Sequence, residues 1–147
     1  MALSRLDNLY RQMILDHAAH PHHHGKLTNA KQQLELRNPT CGDVLQLEVS
    51  LDDGKISEIA FSGTGCTISQ ASASMMTDEV LHKTPAQVEK MVTTFSELVT
   101  GQDPANADEI LGDAAILEGG VTQFPARIKC ATLAWKAIYQ ILAEVQD

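Results

Sequence analysis

Residues 44–61, VLQLEVSLDDGKISEIAF, alternate apolar and polar side chains as far as Leu51, turn at Asp52-Asp53-Gly54 and return through Ile56 to Phe61. Successive strand residues point to opposite faces, so Leu45, Leu47, Val49 and Leu51 share one side. The stretch reads as a β-hairpin with one buried face. A shorter strand at 33–37 completes a small antiparallel three-stranded sheet.

Working outward, the period changes from two to three or four. Leu6, Leu9, Tyr10, Met13, Ile14 and His17 recur at helical spacing, which predicts an amphipathic helix over about 4–19. A loop rich in His, Pro and Gly follows at 20–25. After the hairpin, Ser62-Gly63-Thr64-Gly65 ends the second strand and leads into a helix over about 67–82. Thr84-Pro85-Ala86-Gln87 has the cap, the N1 proline and the N3 glutamine of a further helix start, running to about 100. The stretch 101–120 is polar and acidic, with one short helix near 108–117. Pro125 opens the last helix, where Ile128, Ala131, Trp135, Ile138, Leu142 and Val145 form a core-facing stripe. Trp135 and Tyr139 are expected in the core. Strands and helices segregate along the chain, which gives an α+β class: a three-stranded antiparallel sheet packed against about four to six helices, in a single domain over 1–147.

The 147 residues are 44% hydrophobic, 20% charged and 4% aromatic, so the core rests on aliphatic side chains. A net charge of −8 without any basic block argues against a nucleic-acid partner, which would need a basic footprint. No run is long enough to span a membrane, and residues 1–10 lack a signal-peptide layout, so the expected location is cytoplasmic.

Three cysteines cannot all pair within one chain, and their spacing is not that of a zinc finger. Buried thiols, a metal site and reactive chemistry all remain open from spacing alone. Cys41 and Asp43, in Asn38-Pro39-Thr40-Cys41-Gly42-Asp43, are two apart and can face one point if the segment is extended. The same residue types are also common in turns. Cys66 follows Gly63-Thr64-Gly65 at a helix start, where backbone N–H groups and the helix dipole favour a thiolate. Ala71, Ser72, Ala73 and Ser74 beyond it permit close approach by another element. Cys130 stands near the start of the last helix, with Arg127 three residues earlier on roughly the same face. Its alternative is a core position, because Cys packs like a small hydrophobe. Three thiolates and one carboxylate make a four-coordinate set suited to zinc, with an excess negative charge that Arg127 and Lys129 could balance. His20, His22, His23 and His24 sit too close together in sequence to converge readily on one ion, and His17 reads as a partly buried structural histidine.

These motifs, taken in order, resemble the SufU/IscU family, with its relatives of the NifU N-terminal type. The likeness spans nearly the whole chain. Phe124-Pro125-Ala126-Arg127-Ile128-Lys129-Cys130 and the insert at 101–120 are similar to the SufU branch. IscU proteins carry His immediately before the third Cys, whereas this chain has Lys129, and a protonated Lys has no lone pair for a metal. Asp43 is therefore the expected fourth ligand beside Cys41, Cys66 and Cys130. The chaperone-recognition motif of IscU is missing, and Pro21-His22-His23 replaces the Pro-Arg-Asn usual after the first helix.

The resemblance implies iron–sulfur cluster assembly. Its first form is a zinc-dependent, sulfurtransferase-type acceptor that takes persulfide sulfur from a PLP-dependent cysteine desulfurase of the SufS type, with Cys41 attacking and Arg127 orienting it. Downstream iron–sulfur assembly proteins would receive the sulfur. The alternative is a scaffold for a [2Fe–2S] cluster, with iron in place of zinc, and a third reading is a purely structural zinc module.

Overall fold

The computed structural model describes residues 2–28, 30, 32–38, 42–102, 104–117 and 125–146. Helix α1 (Ala2–Ala19) precedes strands β1 (Gln32–Asn38), β2 (Asp43–Asp52) and β3 (Lys55–Thr64). Helices α2 (Thr67–Val80), α3 (Pro85–Val99) and α4 (Ala107–Leu111), a 3₁₀ turn at Gly112–Leu117 and helix α5 (Pro125–Gln146) complete the described elements. The fold is α+β, with one antiparallel sheet in the order β1-β2-β3 and five α-helices among the described residues.

The sheet follows from the hairpin's alternation. Leu45, Leu47 and Val49 are buried while Gln46, Glu48 and Ser50 are only partly covered. Asp53 and Gly54 both take positive φ, 56° and 76°, the combination that lets a two-residue loop match strand twist. Ile56 and Ile59 are both buried despite their odd spacing, because the register shifts between Ser50 and Leu51. That irregularity absorbs one residue and returns Ile59 and Phe61 to the inner face, opposite Val49 and Leu47. The outer edge of β3 is covered. Phe61 exchanges backbone hydrogen bonds with His23 and Gly25, and Ile56 does so with His82 and Lys83. On β1, the exposed Glu35 carboxyl is held below the usual range by the Gln46 amide and then by Arg37.

Helix α2 is the centre of the packing. Ala71, Ser72, Ala73 and Ser74 are all fully buried, so the close approach expected from their size is realised. Ser72 Oγ donates to the Ala131 carbonyl at 2.5 Å and accepts from Trp135 Nε1 at 3.1 Å, which ties α2 to α5. Trp135 stacks on Phe95 of α3 with ring centroids 4.5 Å apart. Two of the six aromatic residues thus meet between α3 and α5. Helix α3 begins as its sequence predicts, with Thr84 and Gln87 forming a reciprocal capping box and Pro85 opening the helix.

Several expectations need correction. Strand β3 continues through Ser62, Gly63 and Thr64 rather than ending there, because Gly63 still pairs with Leu45. A Cβ on Gly63 would strike the Val44 carbonyl, so only glycine carries the strand through. Helix α2 stops at Val80, followed by His82 at φ 70°. The expected helix near 108–117 is two pieces broken at Gly112, whose φ is 56°. Tyr139 is not in the core but 45% exposed: the stripe runs along Trp135, Ile138 and Leu142, leaving Tyr139 at the rim beside α3 residues Glu89 and Val92. On α1, Ile14 and His17 are buried, whereas Leu9 and Tyr10 face outward. None of the helices among the described residues is long and apolar enough to cross a membrane.

Replacing Ser72 with Ala removes the hydrogen bond between Trp135 Nε1 and the α2 helix. We expect a loss of about 1–3 kcal/mol, read from the urea midpoint at unchanged slope. An unchanged midpoint would show that this contact contributes nothing to the α2–α5 packing.

Candidate metal centre

The inner face of the sheet ends in polar residues. Asn38 pairs directly with Asp43, and each continues the apolar phase of its strand, after Leu34 and Leu36 on β1 and before Leu45 on β2. Period-two geometry therefore directs both side chains inward, and both are buried, Asp43 at 2% exposure. Asp43 Oδ1 accepts the Cys66 N–H at 3.1 Å. Its Oδ2 is buried and has no hydrogen-bond partner among the described residues. A buried carboxylate oxygen in that state is costly, and a cation is the group that would satisfy it.

Cys66 is the N-cap of α2, with extended φ and ψ of −76° and 173°. Its Sγ accepts the Ser69 N–H at 3.5 Å, and Ser69 Oγ donates back to the Cys66 carbonyl at 3.0 Å. The first turn of the helix thus points a backbone N–H at the sulfur. Gly65 lets the chain pass at this point: a Cβ there would run into Ser69 Oγ and come within 3.1 Å of Asp43 Oδ1. Cys130, in the second turn of α5, is 2% exposed, and Asn38 Nδ2 lies 4.0 Å from its Sγ.

One ligand atom each from Asp43, Cys66 and Cys130 lies within 4.8 Å of the other two. Ligands around tetrahedral zinc stand roughly 3.5 Å apart, so slight inward movement would bring the three into its first coordination sphere. Two thiol sulfurs and a buried, half-satisfied carboxylate fit zinc by ligand type and by charge. Cys66 and Cys130 are free cysteines, with no disulfide between them.

The structure thus gathers three of the four ligands expected from sequence. The fourth, Cys41, lies outside the described residues. Arg127 and Lys129 are exposed at the start of α5, three residues and one residue ahead of Cys130. Sequence reasoning passed over Asn38 as a site neighbour, although its phase with Leu34 and Leu36 was a usable signal. His17 is buried as expected, with Nδ1 2.7 Å from Ser74 Oγ.

Known proteins share this arrangement of sequence and fold. The family model for the NifU-like N terminal domain matches residues 9–142. The chain is 50% identical over 143 residues to the iron–sulfur cluster assembly scaffold protein IscU of Streptococcus pyogenes serotype M1, covering 97% of this chain and 87% of that protein. It is 43% identical over 141 residues to the zinc-dependent sulfurtransferase SufU of Bacillus subtilis strain 168, covering 96% and 94%. The crystal structure of a hypothetical protein, 47% identical, superimposes with a TM-score of 0.87 and covers 93% of this chain and 98% of that one.

A ligand that binds only the folded chain raises its stability, by about 2.7 kcal/mol at a hundredfold excess over Kd. Free Zn²⁺ at that excess should therefore raise the unfolding midpoint by on the order of 10 °C. Asp43→Ala and Cys130→Ser should each remove most of that rise. An equal rise in both variants would place the first zinc elsewhere.

Proposed function

Because the chain belongs to the NifU-like N-terminal domain family, we propose that it serves iron–sulfur cluster assembly as a zinc-dependent acceptor and carrier of persulfide sulfur. The observation that carries this reading is the convergence of Asp43, Cys66 and Cys130, with Asp43 Oδ2 buried and without a partner among the described residues. The zinc-dependent sulfurtransferase SufU, 43% identical over nearly the full length of both chains, supports it.

In this reading Asp43, Cys66 and Cys130 would hold zinc together with Cys41, and the ion, when bound, would supply positive charge that favours thiolate ligands. Sulfur enters from a PLP-dependent cysteine desulfurase of the SufS type. The Cys41 thiolate attacks the terminal sulfur of the desulfurase cysteine persulfide. A new sulfur–sulfur bond forms to Cys41 as the old one breaks, and the donor cysteine leaves as a thiolate. One sulfur atom moves, with no net oxidation or reduction. Arg127, exposed near the start of α5, orients the Cys41 thiolate by its fixed positive charge. Asn38 and Asp43, buried and paired at the sheet's end, set the geometry of the strand from which the Cys41 segment extends. The sulfur then passes to downstream iron–sulfur assembly proteins, and we place these exchanges in the cytoplasm.

A second reading is favoured by the IscU relative, which is named as a scaffold and is 50% identical. Here the same thiolates hold a [2Fe–2S] cluster as cargo, since cysteine sulfurs serve such clusters equally well.

Mass spectrometry after anaerobic incubation with desulfurase and cysteine separates the two. The carrier reading expects one added sulfur atom on the Cys41 peptide, absent from Cys41→Ala, with the fold retained. Added sulfur found only on Cys66 or Cys130 would refute the assignment of Cys41. A stable cluster chromophore that transfers intact to an apo-protein, without a Cys41 persulfide, would establish the scaffold instead.

A further inference from the structure

A second group of metal-ligating side chains lies at the opposite end of α2. His17 of α1, His22 of the following loop and Asp78 of α2 each offer a ligand atom, and these atoms lie within 4.8 Å of one another. The rings of His17 and His22 are 4.5 Å apart, and His22 Nδ1 is 2.5 Å from Asp78 Oδ2. At 1.5 Å per residue, Asp78 stands about 18 Å along α2 from Cys66, so this is not an extension of the metal centre.

The surroundings hold these groups in place. Ser74 Oγ accepts the His22 backbone N–H at 2.8 Å and contacts His17 Nδ1 at 2.7 Å. Thr77 Oγ1 lies 3.0 Å from His23 Nδ1, and His23 Nδ1 lies 3.4 Å from Asp78 Oδ1. The loop itself is pinned to β3 through Phe61, by the His23 carbonyl and the Gly25 N–H. A polar surface recess lined by Met13, Asp16, His17, His20 and His22 opens beside the group, leaving room for water ligands. Metal-binding histidines are commonly oriented by hydroxyl and carboxylate neighbours of this kind.

We propose that His17, His22 and Asp78 bind a divalent transition-metal ion, in addition to the one at the cysteine centre. Two imidazole nitrogens and one carboxylate oxygen select zinc, nickel or copper over magnesium or calcium. Such an ion clamps α1, the histidine loop and the end of α2 together. The site stands independently of the sulfur-carrier reading.

The test is calorimetric titration of the full, reduced chain, already carrying one zinc, with further Zn²⁺. One additional saturable equivalent is expected, with none for Mg²⁺. His22→Gln and Asp78→Asn, both at partly exposed positions, should each weaken it at least tenfold, while His82→Gln leaves it unchanged. Ring ¹⁵N resonances of His17 and His22 should shift as it fills. Absence of a second equivalent would overturn the proposal. So would unchanged affinity in Asp78→Asn combined with equal losses in His20→Gln, His24→Gln and His22→Gln, which would mean loose capture by loop histidines.

Discussion

Helix α2 carries no large side chain from Ala71 to Ser74, and the elements around it depend on that. With only methyl and hydroxymethyl groups in the way, α5 comes close enough for Ser72 to reach both the Ala131 carbonyl and the Trp135 indole. Two residues further on, Ser74 receives the histidine loop and His17 of α1. The same close packing brings Cys130 on α5 to Cys66 at the head of α2. A bulky residue in place of Ser72 would push α5 outward and separate the two sulfurs. Core packing and site assembly are therefore one constraint, which is why small residues stand where a core would ordinarily use larger ones.

The sheet imposes the other half of the geometry. Its inner face is aliphatic from Val49 back to Leu45 and then, in the same phase, presents Asp43 opposite Asn38. A carboxylate placed there cannot turn to water without breaking the pleat. It takes one hydrogen bond from the Cys66 N–H, and its other oxygen has no partner among the described residues. A divalent ion with four singly negative ligands would leave two excess negative charges, and the helix N-termini at Cys66 and near Cys130 offset part of that excess. Burying that carboxylate costs the fold stability, and a cation bound there would offset the cost.

Much of this was legible in the chain. The alternation of residues 44–51, the Asp53-Gly54 turn and the Thr84–Gln87 cap translate directly into β2, its hairpin and α3. Asp43 and Cys66 could be placed because their local settings, a strand start and a helix start, are short-range features. Apart from the shared cysteine site, neighbours that come from different elements were not legible in the sequence. The approach of Asn38 to Cys130 joins β1 to α5, and the meeting of His17, His22 and Asp78 joins α1, a loop and α2. Periodicity also misplaced Tyr139, because helical spacing gives a face but not how far the partner helix covers it. The bulge near Ser50 could not be read either, since Ile56 and Ile59 look out of phase until the strands are paired.

The most direct test of the central claim is the turnover of a SufS-type cysteine desulfurase as the zinc-loaded chain is titrated in under anaerobic, reducing conditions. The account predicts a saturable rise in turnover that vanishes with Cys41→Ala and falls with Asp43→Ala. No rise, with zinc bound in full and a complex with the desulfurase demonstrated, would contradict it.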